Sequence, residues 1–169
     1  DYKVTGVQTC ALPISNEYHK GGPISVALKN FREITDTGRA VLFRSHNPDY
    51  ADGGQSRDFI WVGDCVDVAL WLADTPGAEG IFNVGTGEAR AFSDLARAVF
   101  AAMAVPERID FVDTPEPIRD RYQYFTQADT ARLRAAGYDR PFTSLEDGVA
   151  DRKSTRLNSS HLVISYAVF

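Results

Sequence analysis

The sequence predicts an α/β fold, in which short apolar strands alternate with helices and pair in parallel. Three observations support this prediction. Apolar residues recur at helical spacing in several segments, runs such as IFNV and IDFV have the composition of buried strands, and turn residues separate the two kinds of segment. The 169 residues are 44% hydrophobic and 24% charged, which suits one globular domain.

The first elements follow from apolar spacing and turn residues. Apolar residues at positions 24, 28, 31 and 34 predict a helix that Thr37-Gly38 ends, and a strand is expected at 40–43. The stretch HNPDYADGGQS, from His46, has the composition of a loop. RDFIWVG then predicts a strand that is apolar on both faces. Asp64 is expected to cap the helix VDVALWLAD, whose broad apolar surface predicts burial on more than one side.

The next elements repeat the alternation. IFNV, residues 81–84, predicts a buried strand closed by Gly85-Thr86-Gly87, and IDFV, residues 109–112, predicts another strand. Between them, Ser93 is expected to cap a helix. The apolar side of that helix would consist of Phe92, Leu95, Ala96, Val99, Phe100 and Met103.

The last predicted elements are two helices. Thr126 with Asp129 resembles a capping box for a helix that runs to Ala136 and stops at Gly137. A final helix is expected from about Ser144. Strands that are apolar on both faces need neighbours, and the chain supplies too few strands to complete a twisted sheet. A chain with an unpaired sheet edge and an apolar face is expected to be poorly soluble.

Composition and charge narrow the possible classes of protein. No apolar run approaches the roughly 18 residues of a membrane span, and no signal-peptide pattern opens the chain, so a cytoplasmic location without a membrane partner is the expectation. A net charge of -5 with interspersed signs argues against nucleic-acid binding. The two cysteines, Cys10 and Cys65, lack the spacing of a zinc site.

The two ends of the chain are related in an unexpected way. Residues 1–14 and 151–164 can be encoded, in frame, by complementary DNA strands. For example, Ile14 (ATC) faces Asp151 (GAT), and Asp1 (GAT) faces Ile164 (ATC). Selection on a protein does not produce such a match, whereas an oligonucleotide attached in inverted orientation at both ends of a DNA fragment does. Both ends also resemble the translation of a common sequencing-library adapter.

The chain is therefore expected to consist of three parts. Residues 1–14 and 151–169 would be adapter-derived and not native, and residues 15–150 would be the gene fragment. This central part carries 14 basic and 21 acidic side chains, a net charge of -7. Its sole cysteine is Cys65, which lies in an apolar run and is expected to be a small core residue.

Four stretches of the central part carry a resemblance to a known family. NEYHKGG, RDFIWVGDCVDVALWL, GIFNVGTG and RYQYFTQADTARLRAAGYDRPF are together similar to the C-terminal part of the ADP-glycero-manno-heptose 6-epimerases, which are extended short-chain dehydrogenases/reductases. The second and third stretches alone would indicate only an extended nucleotide-sugar epimerase or dehydratase. The resemblance covers residues 16–150 and less than half of a complete enzyme. It implies an incomplete Rossmann-type fold, with the substrate-binding part and the last strands of the sheet.

The resemblance also implies an activity for the parent enzyme. In this family an N-terminal Rossmann half holds NADP, or NAD, and the C-terminal part covers an ADP-sugar substrate. The implied reaction inverts C6 of an ADP-linked heptose through a transient 6-keto intermediate, in lipopolysaccharide core precursor synthesis, and the parent is expected to be a homo-oligomer. The Gly-rich dinucleotide fingerprint and the Y-x-x-x-K motif are absent from this sequence, so the fragment is expected to be inactive alone.

The resemblance assigns a catalytic role to Lys20. Epimerisation needs an acid or base on each side of the carbon, and a lysine can serve when burial or nearby positive charge lowers its pKa. From its Gly-rich surroundings alone, Lys20 would be a solvated surface lysine.

The resemblance also places substrate contacts along the chain. Phe43, Arg44, Ser45 and His46 match the family's stretch from a strand into a loop, and Arg57 would clamp the diphosphate. Tyr122 would contact the same ligand. Without the family, Arg57 and Asp58 could form a local ion pair, and Tyr122 could be a half-buried core aromatic. Gly22 and Lys29 also fall at substrate positions, but they stand where serine and histidine are expected.

Other motifs favour structural interpretations. Gly85-Thr86-Gly87 does not have the spacing of a dinucleotide or P-loop motif and is interpreted as a tight turn. Asp64 and Asp67 suit the first turn of a helix. No compact spacing among His46, Asp49 and Asp52 supports a metal site. Two alternative functions stay open: another extended nucleotide-sugar epimerase or dehydratase, and a non-catalytic sugar-nucleotide-binding module.

Overall fold

A computed structural model of the chain describes residues 26–120 and 122–156, with side chains described up to residue 151. Within these ranges, helices and short strands alternate as the sequence predicts. In chain order they are α1 (Val26–Thr37), β1 (Ala40–Phe43), β2 (Ser56–Asp58), α2 (Val62–Asp74), β3 (Ala89–Ala91), α3 (Phe92–Met103), β4 (Ile109–Val112), α4 (Glu116–Arg119), α5 (Ala131–Ala135) and α6 (Leu145–Arg156).

The parallel pair β1–β4 confirms two predicted strands and their predicted orientation. Ala40 lies opposite Ile109 and Phe43 opposite Val112, so the carboxyl ends of both strands meet. Leu42 is buried, whereas Val112 is exposed. The pair therefore packs one face on the core and ends in the loops that follow both strands.

The outer edge of β1 is covered by neighbouring groups. The Val41 N–H donates to the Glu33 carboxylate at 3.0 Å, and Lys29 donates to the Val41 carbonyl at 2.7 Å. The two side chains are one helical turn apart on α1 and form an ion pair of 2.8 Å. Further along, the Phe43 carbonyl accepts from the Gly53 N–H. At β1, the prediction of an unpaired sheet edge is therefore wrong, because helix side chains and a loop supply the missing hydrogen bonds.

β2 and β3 form a separate antiparallel pair. Ser56 lies opposite Ala91 and Asp58 opposite Ala89. The predicted strand RDFIWVG is wrong beyond Asp58, because helix α2 already begins at Val62. Phe59 and Ile60 are buried in extended connecting chain instead.

The strand predicted for residues 81–84 is not present in the structure. Ile81 is 69% exposed, whereas Phe82 and Val84 pack against a small cluster around Leu133. A strand needs a neighbour that supplies ladder hydrogen bonds, and none of the described strands pairs with this segment. Composition alone cannot reveal this missing neighbour.

Helix α2 is buried on one side only. Val68 is fully buried, but Val66 and Leu70 are 51% and 59% exposed. The prediction of burial on several sides is therefore wrong for the described residues. The apolar surface is present, as the sequence indicates, and it faces solvent.

Three predicted helix caps are also wrong, because each helix begins at a different residue. α2 begins at Val62, so Asp64 lies in its first turn, and its buried carboxylate accepts from the N–H and hydroxyl of Thr143. α3 begins before Ser93, and the Asp94 carboxylate accepts the Ala91 N–H instead.

The third wrong cap is Thr126, which lies in extended chain beside β2. Its N–H donates to the Ser56 carbonyl; the N-cap residue of α5 is Thr130, and the Asp129 carboxylate before it accepts the Ala131 N–H. The predicted stop at Gly137 is confirmed, since this glycine has a φ of +105° directly after the helix. α6 begins at Leu145, which confirms the predicted start near Ser144, and the Ser144 hydroxyl accepts the Asp147 N–H.

The core has two parts. The larger cluster joins α1, β1, α3 and α6, and it contains the predicted apolar side of α3: Leu95, Ala96, Val99 and Phe100 are buried, with Phe92 and Met103 packed against them. The smaller cluster contains Val68, Leu133 and Tyr138. α6 contributes Val149 to the larger cluster and continues as helix past the expected boundary at residue 150. None of the described helices is long and apolar enough to cross a membrane.

Candidate functional site

The candidate site lies where the carboxyl ends of β1 and β4 meet. In open α/β sheets, ligands bind in the crevice outside the carboxyl ends of parallel strands. The chain leaves β1 at Phe43 and β4 at Val112, which are directly opposite each other. The predicted substrate residues 43–46 begin at this position.

Arg44 and Ser45 are held in place by hydrogen bonds to neighbouring loops. Arg44 continues the ladder by donating its N–H to Val112, and its carbonyl accepts the Thr114 hydroxyl. The Ser45 N–H donates to the Asp52 carboxylate at 2.8 Å. The Arg44 guanidinium lies 3.3 Å from the Asp113 carboxylate, and its side chain is about half exposed. The backbone at residues 44–45 is therefore well defined, and the arginine head remains accessible.

His46 is fixed by three hydrogen bonds. Its N–H donates to the Tyr124 hydroxyl at 3.1 Å, and that hydroxyl lies 2.9 Å from Nδ1. Nε2 lies 3.1 Å from the Arg119 carbonyl, which can only accept. Nε2 therefore donates to this carbonyl. These contacts orient the imidazole ring and link the loop after β1 to the segment around Tyr124.

Four aromatic side chains form what we call the aromatic row: Phe43, Tyr122, Tyr124 and Tyr50. The ring centroids are 6.2 Å apart between Phe43 and Tyr122, 5.6 Å between Tyr122 and Tyr124, and 4.9 Å between Tyr124 and Tyr50. Each of the four is partly exposed. A continuous, half-exposed aromatic surface can stack on a planar ligand group such as a nucleobase.

Arg57 adjoins the aromatic row. Its guanidinium carbon lies 5.9 Å from the Tyr122 ring centroid and 5.6 Å from that of Phe92. The guanidinium donates to the Ser56 carbonyl and to the Gln123 carbonyl. These contacts orient the planar head beside the aromatic surface, where a diphosphate attached to a stacked base could reach it.

Asp58 does not form the local ion pair with Arg57 that was the alternative to a ligand-binding role for Arg57. Its carboxylate is 1% exposed and accepts hydrogen bonds from Thr86, Gly87 and Ala128. Successive residues of a strand point to opposite faces, so Arg57 and Asp58 contact different parts of the molecule.

The remaining predicted site residues are placed as follows. Lys29 contacts the Val41 carbonyl and Glu33, as described above, so it supports β1 in this structure. Lys20 and Gly22 lie outside the described residues. The structure thus places Phe43 and Arg57 against the Tyr122 ring and joins His46 to that ring through Tyr124.

The turn Gly85-Thr86-Gly87 follows an apolar segment and could suggest a loop that holds the phosphates of a dinucleotide cofactor. However, the N–H groups of Thr86 and Gly87 already donate to Asp58, at 2.8 and 2.9 Å. Within the described ranges, no group of three or more His, Cys, Asp or Glu side chains could hold a metal ion.

Cys65 is partly buried at the start of α2. Burial, with a smaller contribution from the Asp64 charge, raises the pKa of its thiol to about 11. A thiol with this pKa is a poor nucleophile at neutral pH, which agrees with the predicted structural role.

Sequence reasoning missed several contributors to the site, chiefly Tyr50, Tyr124, Phe92 and Asp58. Two signals were available. In RYQYF the two tyrosines are two residues apart, which places them on one face of an extended segment. Tyr50 is an aromatic residue in an otherwise polar, Gly-containing loop. The contact between these distant segments could not be inferred from their local composition.

Sequence comparison relates the chain to curated proteins. It is 54% identical over 136 residues to "ADP-L-glycero-D-manno-heptose-6-epimerase" of Nitratidesulfovibrio vulgaris, a match that covers 80% of this chain and 42% of that protein. It is 46% identical over 133 residues to the protein of the same name from Alkalilimnicola ehrlichii, with coverage of 79% and 41%. The chain thus spans about two fifths of the length of these relatives. No protein-family model matches it.

Solved structures show the same fold. The ADP-L-glycero-D-manno-heptose-6-epimerase of Helicobacter pylori superposes with a TM-score of 0.65 at 19% identity, over 85% of this chain and 41% of that one. The UDP-glucose 4-epimerase of Thermus thermophilus, solved in complex with NAD, gives a TM-score of 0.58 at 25% identity, over 74% and 37%.

The chain matches only part of each of these structures. The shared architecture is therefore an incomplete Rossmann-type α/β fold of the extended short-chain dehydrogenases/reductases. The chain is a partial-length relative of the ADP-L-glycero-D-manno-heptose-6-epimerase family.

Proposed function

We propose that the chain is the C-terminal, substrate-binding part of an epimerase that inverts C6 of an ADP-linked heptose through a transient 6-keto intermediate. The observation that carries this proposal is the 54% identity, over 136 residues, with a relative of that name. The product would serve lipopolysaccharide core precursor synthesis. The parent enzyme would be a cytoplasmic homo-oligomer.

The geometry supports a role in binding the ADP group. The aromatic row offers stacking surface for adenine, and Arg57 lies at its side with a planar guanidinium suited to a diphosphate. Arg44, Ser45 and His46 line the loop after β1, and the Ser45 and His46 backbone is fixed by Asp52 and Tyr124. Within this proposal Tyr122 and Phe43 contact the nucleotide. The remaining residues proposed to contact the substrate are Lys29 and Gly22.

The catalytic proposal concerns Lys20. This lysine would exchange a proton with the C6 hydroxyl from one side of the sugar, while the family's tyrosine, outside this sequence, would act from the other. A nicotinamide cofactor, NADP or NAD, would supply the redox chemistry of the parent enzyme. As the family resemblance implies, it would be held mainly by a Rossmann half outside this sequence.

Residues 1–14 and 151–169 are proposed to be translated adapter, not part of the native enzyme. Sequencing the genomic DNA on both sides of codons 15–150 tests the adapter origin of the two ends and the assignment of the parent to an epimerase. The expected upstream sequence encodes a Gly-rich βαβ unit and a Y-x-x-x-K motif. Upstream DNA that encodes neither would overturn the assignment to an epimerase.

Ligand binding tests the substrate class on the chain itself. Calorimetric titration with ADP-ribose, an ADP-linked sugar, should give saturable binding, and titration with UDP-glucose should give binding at least about tenfold weaker, because the two bases differ in stacking area and polar groups. Equal affinity would favour the alternative of another extended nucleotide-sugar epimerase or dehydratase. If the completed gene lacks epimerase activity but this chain binds ADP-ribose, the binding-module alternative stands.

A further inference from the structure

The buried carboxylate of Asp58 joins three segments of the chain. Its Oδ1 accepts from the Thr86 N–H at 2.8 Å and from the Thr86 hydroxyl at 2.6 Å. Its Oδ2 accepts from the Gly87 N–H at 2.9 Å and from the Ala128 N–H at 3.1 Å. All four hydrogen bonds reach a side chain that is 1% exposed. Four hydrogen bonds to one buried carboxylate orient it sharply.

The Ala128 hydrogen bond continues a short parallel ladder. Ser56 donates its N–H to the Tyr124 carbonyl and accepts the Thr126 N–H, so that β2 runs beside residues 124–126. Two residues further along both segments, Asp58 accepts the Ala128 N–H with its side chain. Asp58 therefore fixes the register of the segment that carries Tyr122 and Tyr124.

The turn on the other side of Asp58 is shaped for this contact. A Cβ atom on Gly85 would collide with the Ala128 Cβ and would lie 2.7 Å from Asp58 Oδ2. Only glycine allows the turn to approach this closely. The Gln127 side chain adds a hydrogen bond to the Gly87 carbonyl. The turn Gly85-Thr86-Gly87 thus buttresses the carboxylate and is not itself a phosphate loop.

We propose that Asp58 is a positioning residue for the nucleotide-sugar site, through its hydrogen bond to Ala128. It holds the segment of residues 122–128 in the register that places Tyr122 against Arg57 and Phe43, and Tyr124 against His46. Asp58 does not touch the ligand. This inference rests on the proposed function, because it assigns a ligand-binding role to the aromatic row.

The test compares Asp58→Asn with the matched control Asp64→Asn. The amide nitrogen that Asp58→Asn introduces cannot accept a hydrogen bond, so it would leave one pair of donors without an acceptor. Asp64 is likewise buried and accepts two hydrogen bonds, but its donors belong to Thr143, outside the aromatic row. Both substitutions replace a buried carboxyl group by an amide, so general loss of stability affects both variants.

Two readouts are measured on the whole chain at a temperature at which the variants are folded. In the absence of ligand, Asp58→Asn should shift the amide resonances of residues 122–128 and accelerate their hydrogen exchange, whereas Asp64→Asn should not. ADP-ribose affinity should fall at least about tenfold in Asp58→Asn and stay within about twofold in Asp64→Asn, since a charge-assisted hydrogen bond contributes on this scale.

The outcomes separate the inference from the proposed function. Unchanged resonances and affinity in Asp58→Asn would overturn the positioning role. Absence of ADP-ribose binding by the unsubstituted chain would overturn the proposed function, and the resonances would still decide whether Asp58 sets the register. If Asp58→Asn does not fold, Thr86→Val is the second variant: it removes one of the four hydrogen bonds to the carboxylate, together with the acceptor of the Glu88 N–H. It should shift the same resonances by a smaller amount, and their constancy would refute the inference.

Discussion

At the scale of single residues, the site depends on how each side chain is held as much as on its chemical type. Arg57 illustrates this, because its head is oriented by two carbonyl groups and two aromatic rings. His46 is a second example, because its ring is held between the Tyr124 hydroxyl and the Arg119 carbonyl. Neither environment is visible in the neighbouring sequence.

Replacement of Arg57 by lysine should weaken ADP-ribose binding by about tenfold. Lysine keeps the charge, but it lacks the planar fork that contacts two carbonyls and stacks on Tyr122. Calorimetric titration measures the affinity, and Arg97→Lys, at an exposed ion pair with Glu107, is the control. Equal affinities for Arg57→Lys and the unsubstituted chain, with both folded, would contradict a diphosphate contact.

The Cys65 thiol should react slowly with a disulfide reagent. With the pKa raised to about 11 from 9.0, the thiolate fraction at pH 8 falls about a hundredfold, and the higher intrinsic nucleophilicity recovers about tenfold, so a net slowing of about tenfold is expected. Thiol titration of a Cys10→Ser variant, folded and in denaturant, measures the two rates. Similar rates in both states would show that the fold does not suppress the thiolate.

The same shift makes stability depend on alkaline pH. The folded chain retains the Cys65 proton while the unfolded chain loses it, so the free energy of unfolding should decrease as pH rises from about 9 to 11. Denaturant titrations across this range, with Cys65→Ala as the control, measure the dependence. In Cys65→Ala, the free energy of unfolding should not show the part of the decrease that is due to the Cys65 thiol.

At the scale of elements, hydrogen bonds from side chains replace strand neighbours. α1 closes the outer edge of β1 with Lys29 and Glu33, and Asp58 extends the contact of β2 with residues 124–128. Helices with strong apolar stripes, such as α3, were predictable because their periodicity reflects the face that they bury. The structure of residues 81–84 was not predictable, because an apolar run forms a strand only when a partner strand is present.

Glu33→Ala should destabilise the fold by about 1–3 kcal/mol. The substitution leaves the Val41 N–H without its carboxylate acceptor and Lys29 without its ion-pair partner. Urea denaturation followed by circular dichroism measures the loss. Asp36→Ala, at an exposed position of the same helix, should change stability by no more than about 0.5 kcal/mol.

Equal stabilities of Glu33→Ala and Asp36→Ala would show that the Glu33 carboxylate does not stabilise the outer edge of β1. An unpaired edge also invites pairing with other chains, so Glu33→Ala should aggregate faster than Asp36→Ala at equal concentration. Light scattering provides this second measurement.

At the scale of the whole molecule, exposed apolar side chains mark surface that a complete protein would be expected to cover. Val66 and Leu70 lie one turn apart on α2, and Ile81 is 69% exposed. Because the outer edge of β1 is closed, the expectation of poor solubility depends on these side chains more than on that edge.

Leu70→Lys should reduce self-association of the chain. A charged side chain at a 59% exposed position removes apolar surface at little cost to the core. Size-exclusion chromatography with light scattering, over a range of concentrations, measures the mass. Val105→Lys, at an apolar position that is 40% exposed beyond α3, is the control and should leave association unchanged. A monomeric unsubstituted chain at high concentration would contradict the expectation.

The sequence by itself determined the α/β class, the strands β1 and β4, the stripe of α3, the stops at Thr37-Gly38 and Gly137, and the family resemblance that the 54% identity confirms. These features depend on local periodicity, on turn residues and on motif identity. Tertiary structure decided the short length of β2, the starts of α2 and α3, the role of Asp58 and the assembly of the aromatic row. These features depend on hydrogen bonds and ring contacts between segments far apart in the chain, such as His46 with Tyr124 and Asp58 with Ala128, and no local pattern encodes such pairings.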